Sequence, residues 1–509
     1  MATAYLTPGV YVEEVSGGAK PIEGVGTAVA AFLGIAEKGP VGKATLVTNW
    51  TQFTDAFGGF IPGAYLAHAV YAYFNNGGGV CYIVRIGSED AGEVKPALPE
   101  ASLSAATSPD QPTIKAIAKS EEVTDITLEV TPADEGFDLT VRGGGQEEKH
   151  EGLTFARGAK NVFDVVNKAS KLVTLEEVKT NIAVAERAPA AGQYPLAAPT
   201  TMSLSAADTA PAVYEGNTSD RTGMGGLEAI DEITMVCAPD IMAGYQAGAL
   251  DMDGLKAIQL AMIAHCERMG DRVAIIDTPP GLTAQQVLDW RMNTAGYDSN
   301  YAAMYYPWVQ VANPTPGAAS TSMMMPPSAH VAGIWARSDS ERGVHKAPAN
   351  EVVRGALGLE INVTHGEQGL LNPQGINCIR AFPGRGIRVW GARTISSDPE
   401  WRYLNVRRLF NFVEKSIEGG TQWAVFEPND YMLWQKVKRD VGSFLTNVWL
   451  SGALFGRTPE QAFFVKCDEE NNPQSTRDAG QLIVDIGLAP VKPAEFVIFR
   501  IAQYTPGAE

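Results

Sequence analysis

Hydrophobic positions in the last quarter of the chain recur with helical spacing in two long runs. Val406, Leu409, Phe410, Val413 and Ile417 fall at i, i+3, i+4, i+7 and i+11, which is one face of a helix. The pattern starts this helix near Asp398-Pro399-Glu400, where a capping residue precedes a first-turn proline, and stops it at Gly419-Gly420. It also puts Arg408 and Lys415 on the opposite, solvated face. An apolar strand, Ile387-Arg388-Val389-Trp390, comes before, and a second strand-like run, Trp423-Ala424-Val425-Phe426, comes after. Pro428-Asn429-Asp430 then opens a longer helix with Leu433, Val437, Val441, Phe444, Leu445 and Val448 as its apolar seam. At 3.6 residues per turn, Lys436 and Arg439 lie on the far side of that helix and Lys438 on a flank.

Apolar runs alternate with helical patterns through the first 88 residues and again from 212 to 364. Buried strands are predicted at Ala28–Ile35, Val80–Ile86, Ile233–Pro239, Arg272–Asp277 and Tyr301–Val309. Helices are predicted through Tyr65–Phe74, Leu255–Cys266 and the residues after Thr283, with Gly77-Gly78-Gly79 as a helix stop. Strands separated by helices imply a largely parallel sheet covered by helices. The stretch from about Ala91 to Pro211 differs: it is rich in Ala, Ser and Pro, with alternating strands at Ile126–Val130 and Phe137–Val141 around a Gly143-Gly144-Gly145 turn. It reads as a small β-rich domain inserted into a larger one. The predicted fold class is α/β (mixed α+β), in several domains. At the chain's start, Val10, Tyr11, Val12 and Val15 alternate loosely before Gly17-Gly18, which suits either an edge strand within the subunit or an arm lent to a neighbour. At the far end, Ala494–Gln503 is a long apolar strand that must be covered, by its own sheet or by another chain.

Charge sharpens the reading of the second helix. The chain has 509 residues with 40 Lys+Arg against 58 Asp+Glu, a net charge of -18. Lys436, Lys438 and Arg439 therefore stand out as a basic face that could dock an acidic partner, although a solvated helix face is the plainer reading. A pI near 4.9 argues against broad nucleic-acid binding, which requires a positive surface. No apolar stretch approaches the ~20 residues of a membrane span, and the first residues lack the pattern of a signal peptide, so synthesis and folding in the cytoplasm are expected. The five cysteines are scattered without metal or redox spacing and read as small buried residues.

Candidate enzymatic chemistry is thin. Val273-Ala274-Ile275-Ile276-Asp277 resembles a Walker B strand, in which the aspartate would govern a magnesium ion and a nucleotide hydrolase would follow. The nearest phosphate-loop candidate, Gly39-Pro40-Val41-Gly42-Lys43-Ala44, has the wrong spacing and no hydroxyl at Ala44. Asp251 and Asp253 sit beside a helix start and read as capping residues. His68 reads as a packed or surface histidine, and His330, His345 and His365 are too widely spread for a local metal motif. No catalytic residue, metal or cofactor is expected.

Longer motifs are more specific. Trp401-Arg402-Tyr403-Leu404-Asn405-Val406-Arg407-Arg408-Leu409-Phe410 resembles the contractile tail sheath family of phage tails, R-type pyocins and extracellular contractile injection systems. So do Trp423-Ala424-Val425-Phe426-Glu427-Pro428-Asn429, the run from Gly452 to Phe463, and Val465-Lys466-Cys467-Asp468. The resemblance implies a mechanical, cofactor-free sheath subunit that polymerises helically around an inner tube and contracts to drive it through a target envelope. The implied partners are further copies of the chain, the inner tube protein, and baseplate and terminal cap proteins, with no nucleic acid and no membrane insertion. Residues 1–88 with 365–509 would form an inner domain, 212–364 an outer α/β domain and 89–211 the inserted outer domain. Val10, Tyr11, Val12 and Val15 would be an intersubunit N-terminal arm, and Phe496, Val497, Ile498, Phe499 and Ile501 an intersubunit C-terminal strand. Lys436, Lys438 and Arg439 would contact the tube.

Overall fold

In the computed structural model, nine strands drawn from three separate stretches of sequence share one sheet. The structure describes residues 21–500, apart from 90, 92, 93, 97, 121, 122, 124, 134, 179–181, 197–199, 203 and 316–319. The strands are β1 (Val29–Gly34), β2 (Thr45–Val47), β3 (Val80–Arg85), β4 (Met235–Cys237), β5 (Val273–Asp277), β6 (Ala302–Tyr306), β7 (Glu351–Val352), β8 (Ile376–Phe382) and β9 (Gly386–Val389). Their order across the sheet is β7-β9-β8-β6-β5-β4-β1-β3-β2. The run from β8 to β3 is parallel, and antiparallel β2, β9 and β7 finish the two edges. The central strands β4, β5 and β6 are buried along their whole length, as strands covered on both faces require. This sheet redraws the expected division of the chain. Strands from 1–88, from 212–364 and from 365–395 are neighbours in one ladder, so the boundary placed at 364/365 runs through a single hydrophobic core.

Helices α1 (Leu66–Asn76), α2 (Met252–Met269) and α3 (Ser328–Arg342) cover the sheet. Gly77, at a φ of 115°, stops α1 in a left-handed conformation that a residue with a side chain adopts only at a cost. Gly333 lets α3 approach α1 closely, because a Cβ there would come within 2.5 Å of the Tyr73 carbonyl oxygen.

Residues 94–202 build separate small sheets with their own core, centred on Leu103, Ile114, Leu128, Leu139, Val141 and Val173. This stretch leaves and rejoins the larger body through an antiparallel pair, Val94–Pro96 with Thr200–Met202.

The last unit is helical. Helix α4 (Leu404–Gly420) begins six residues later than the Asp398 start read from the sequence, because residues 396–402 form turns in which the Asp398 carboxylate accepts from the Glu400 N–H. Helix α5 (Tyr431–Leu450) begins at Asp430, whose carboxylate accepts from the Leu433 N–H at 2.9 Å. Its seam of Leu433, Val437, Val441, Phe444, Leu445 and Val448 is buried throughout. Against it lies a two-stranded antiparallel sheet, β10 (Phe463–Lys466) with β11 (Asp485–Leu488).

Candidate interaction surfaces

Three places on this scaffold carry the residues singled out by sequence. The first is the turn between α4 and α5 together with the outer face of α5. Trp423–Phe426, expected as a strand, instead forms a short 3-10 turn over Gln422–Ala424 followed by a turn at Val425-Phe426. No strand lies beside it among the described residues, and the chain must reverse within a few residues to enter α5. The consequence is a fully exposed Phe426 at a φ of 67°, a backbone state that costs a non-glycine residue about 1–3 kcal/mol. Val425, Tyr431 and Met432 are exposed around it. On α5, the Lys436 ammonium sits 4.0 Å from the centre of the Trp423 ring. Lys438 is exposed, and Arg439 is 59% exposed while its Nη2 lies 2.8 Å from Asp440 Oδ1. The face is thus mixed, with cations flanked by apolar side chains. The apolar half was invisible in the sequence because Val425-Phe426 had the look of a buried strand.

The second place is the β10–β11 sheet. Two strands alone are marginal in water, and this pair has no further strand beside it among the described residues. One face packs on the α5 core through Phe463, Val465, Ile486 and Leu488, while Phe464 on the other is 58% exposed. Unpaired backbone edges of this kind are templates for strand addition.

The third is the C-terminal segment. It is not a strand: residues 491–500 carry no regular secondary structure, and Phe496, Val497, Ile498 and Phe499 are 69–84% exposed. An apolar run forms a ladder only where an edge lies alongside, and among the described residues none does. Ile501 and the N-terminal residues Val10, Tyr11, Val12 and Val15 lie outside the described residues.

The aspartate that suggested nucleotide chemistry has a different occupation. Asp277 is buried at the end of β5, where its carboxylate accepts from the backbone N–H of Ser328 at 2.8 Å and from the Ser328 hydroxyl at 2.6 Å. It caps α3 from a neighbouring strand, where the helix dipole favours a negative charge. The Gly39–Ala44 stretch leads into strand β2 instead of opening a helix, and its Gly42 N–H donates to the Arg85 carbonyl. Burial pushes the Asp277 carboxyl up to about 7 against the pull of its two Ser328 hydrogen bonds. A carboxyl raised in this way stabilises the fold at low pH and loses that contribution as pH rises through about 7. Asp277→Asn should therefore gain on the parent chain by on the order of 2 kcal/mol between pH 5 and pH 8, read from urea midpoints. A difference between the two chains that stays constant across that range would contradict this assignment.

Packing accounts for several other side chains that the sequence singles out. Asp251 caps α2 by accepting from the Gly254 N–H at 2.8 Å. His68 is buried against Phe60 and the Thr315 hydroxyl, and His330 is buried in α3. All five cysteines are buried. The clearest miss is Arg408, expected in solvent. It is 4% exposed and paired with Asp339, equally buried, at 2.6 Å, because its helix face turns towards α3 and not outwards.

Comparison with known proteins places this geometry. Residues 222–395 match the phage tail sheath protein central domain, and residues 396–503 match the phage tail sheath C-terminal domain. The chain belongs to the contractile tail sheath family. The tail sheath protein of Burkholderia phage BcepMu is 26% identical over 98% of this chain and 97% of its own length. That of Vibrio phage KVP40 is 27% identical over 36% of this chain, a match covering 27% of the phage protein. Among solved structures, the anti-feeding prophage helical sheath in its contracted state superposes with a TM-score of 0.60 at 25% identity, over 98% of this sheath chain and all of the other. The contracted PVC sheath complex of an extracellular contractile injection system gives 0.57 at 25% identity, over 99% of each chain.

Proposed function

We propose that this protein is the sheath subunit of a contractile tail or injection machine, polymerising helically around an inner tube and contracting to drive that tube through an envelope. The likeness to contracted helical sheaths over nearly the whole chain carries the reading. Head-to-tail contacts that do not close generate such a helix. In this reading the open edges of β10 and β11 receive strands from neighbouring copies. The donors are the N-terminal residues Val10, Tyr11, Val12 and Val15 and the C-terminal run Phe496 to Ile501. Each added backbone hydrogen bond contributes only ~0.5–1.5 kcal/mol net. Several per strand, repeated in every subunit, keep the mesh linked while the globular bodies turn.

The mixed face of α5 is the grip on the tube. Lys436, Lys438 and Arg439 hold register through screenable contacts, and Phe426, Tyr431 and Met432 add apolar area at the same place. The ionic part of this grip lets go without a large desolvation energy, while the apolar part must return to water on release. The protein acts as a structural element without a cofactor, made and assembled in the cytoplasm with tube, baseplate and cap proteins as partners. No helix among the described residues is long and apolar enough to cross a membrane.

Electron microscopy of the purified chain tests this. Hollow ridged cylinders are expected without nucleotide, and deletion of residues 496–509 should abolish them while the subunit stays folded. Lys436→Glu with Lys438→Glu should spare the contracted cylinders and prevent extended assembly on the tube. Extended assembly that survives both substitutions would remove α5 from the tube contact.

A further inference from the structure

Both ends of the described chain are fastened by arginines, and both arginines belong to the stretch 393–408. At the C-terminal root, Arg393 forks onto Glu495, with Nε 2.9 Å from Oε1 and Nη2 2.6 Å from Oε2. The Asn372 amide donates to the same carboxylate at 2.7 Å, and the Tyr403 hydroxyl closes on it at 3.4 Å. Arg393 and Glu495 side chains are 10% and 18% exposed, so this is a sheltered clamp and not a surface pair. The exposed apolar run starts at the next residue, Phe496.

The N-terminal root is held the same way. Arg408 donates to both Asp339 oxygens, at 2.9 and 2.6 Å, and to the Thr27 carbonyl at 3.1 Å, while the Thr27 hydroxyl donates to Asp339 at 2.6 Å. From Thr27 back to Ile22 the chain lies along α4. The Val25 N–H donates to the Ser416 hydroxyl at 3.1 Å, and Ile22 packs so closely on Gly420 that a Cβ there would come within 2.6 Å of it. The root of one arm therefore runs down α4, and the root of the other is clamped by the loop that leads into α4.

We propose that α4 and its leading loop form a tie bar between the two linking arms, with Arg393 and Arg408 as the residues that position the arm roots. This rests on the reading of the arms as intersubunit links. Pull arriving through one arm passes along α4 and its clamps and leaves by the other arm, so the sheet hydrogen bonds are not the loaded element. Bidentate charge-assisted pairs suit the role, because they resist both sliding and rotation of the root.

The test uses cylinders formed by the purified full chain, or by the chain with its tube protein where that template is required. Glu495 roots an exposed coil segment and its carboxylate can turn to water once unpaired, so Arg393→Gln, Glu495→Gln and Thr27→Val should lower the thermal midpoint of the unassembled subunit by only about 2–4 °C. Each should raise the protein concentration needed for half-assembly about tenfold. Arg393→Lys should recover part of the loss, and Tyr403→Phe, which deletes one hydroxyl, should give a smaller loss of the same kind. The deletion of 496–509 runs beside them. If the deleted chain assembles like the parent, the linking reading itself falls and this proposal with it. If the deletion blocks assembly while the substitutions leave half-assembly unchanged, only the tie bar is overturned. At Arg393, Glu495 or Thr27, a larger fall in the subunit's own midpoint in step with assembly would also overturn it, by reducing those contacts to ordinary parts of the fold.

Discussion

Truncating Arg408 to alanine is expected to lower the free energy of unfolding by about 3–5 kcal/mol, the range for stripping one partner from a buried ion pair. The substitution leaves Asp339 with its charge at 4% exposure and only the Thr27 hydroxyl for company, and it uncovers the face of Trp335, over which the guanidinium lies at 4.7 Å. The loss should appear as a lower denaturant midpoint, followed by tryptophan fluorescence, and as faster hydrogen exchange in α3 and α4. Arg408→Lys should recover only part of it, since an ammonium keeps the charge but not the fork that meets both carboxylate oxygens. A loss below about 1 kcal/mol would show that the pair is solvated in the working protein.

Acid should loosen the fold in a window set by three histidines. Burial pulls His68, His265 and His330 down to about 4, helped at His330 by the neighbouring His68 and at His265 by Arg272 and Arg268. A base held neutral in the folded chain contributes stability that is complete above its unfolded value near 6.5 and is lost as pH falls towards 4. For one such histidine the loss is on the order of 2 kcal/mol by pH 5. Asp240 and Asp277, raised by burial to about 6 and about 7, work in the opposite sense over the same range. The informative quantity is therefore the difference between parent and variant. The urea midpoint of His330→Leu should fall less than that of the parent between pH 7.5 and pH 5. Parallel falls in the two chains would clear His330 of any part in acid sensitivity.

What the sequence made legible, and what it hid, follows the range of the interactions involved. The buried strands around Val273–Asp277 and the seam of α5 are local periodicities, and they appear in the structure where the spacing put them. Arg408 was misplaced because a cation on a helix is usually solvated, and its carboxylate partner lies 69 residues away on a different helix. Trp423–Phe426 was misplaced because strand-like composition does not create a strand without an adjacent edge. The run from Phe496 to Phe499 shows the same rule from the other side. Its composition is that of a strand, and among the described residues it pairs with none. The expected boundary at 364/365 falls between strands of one sheet, because sheet order is a property of the whole chain, and β8 joins β6 across a gap in sequence that periodicity cannot see.

The zipped pair Val94–Pro96 and Thr200–Met202 has a consequence for how such a chain changes over time. A hundred-residue excursion whose two ends meet in one short ribbon behaves as a cartridge in a fixed socket. Its contents can be lengthened, pruned or replaced by foreign sequence while the nine-stranded sheet and the arm roots keep their positions. Grafting at that doorway is the natural route to a particle that carries a new binding module on every subunit.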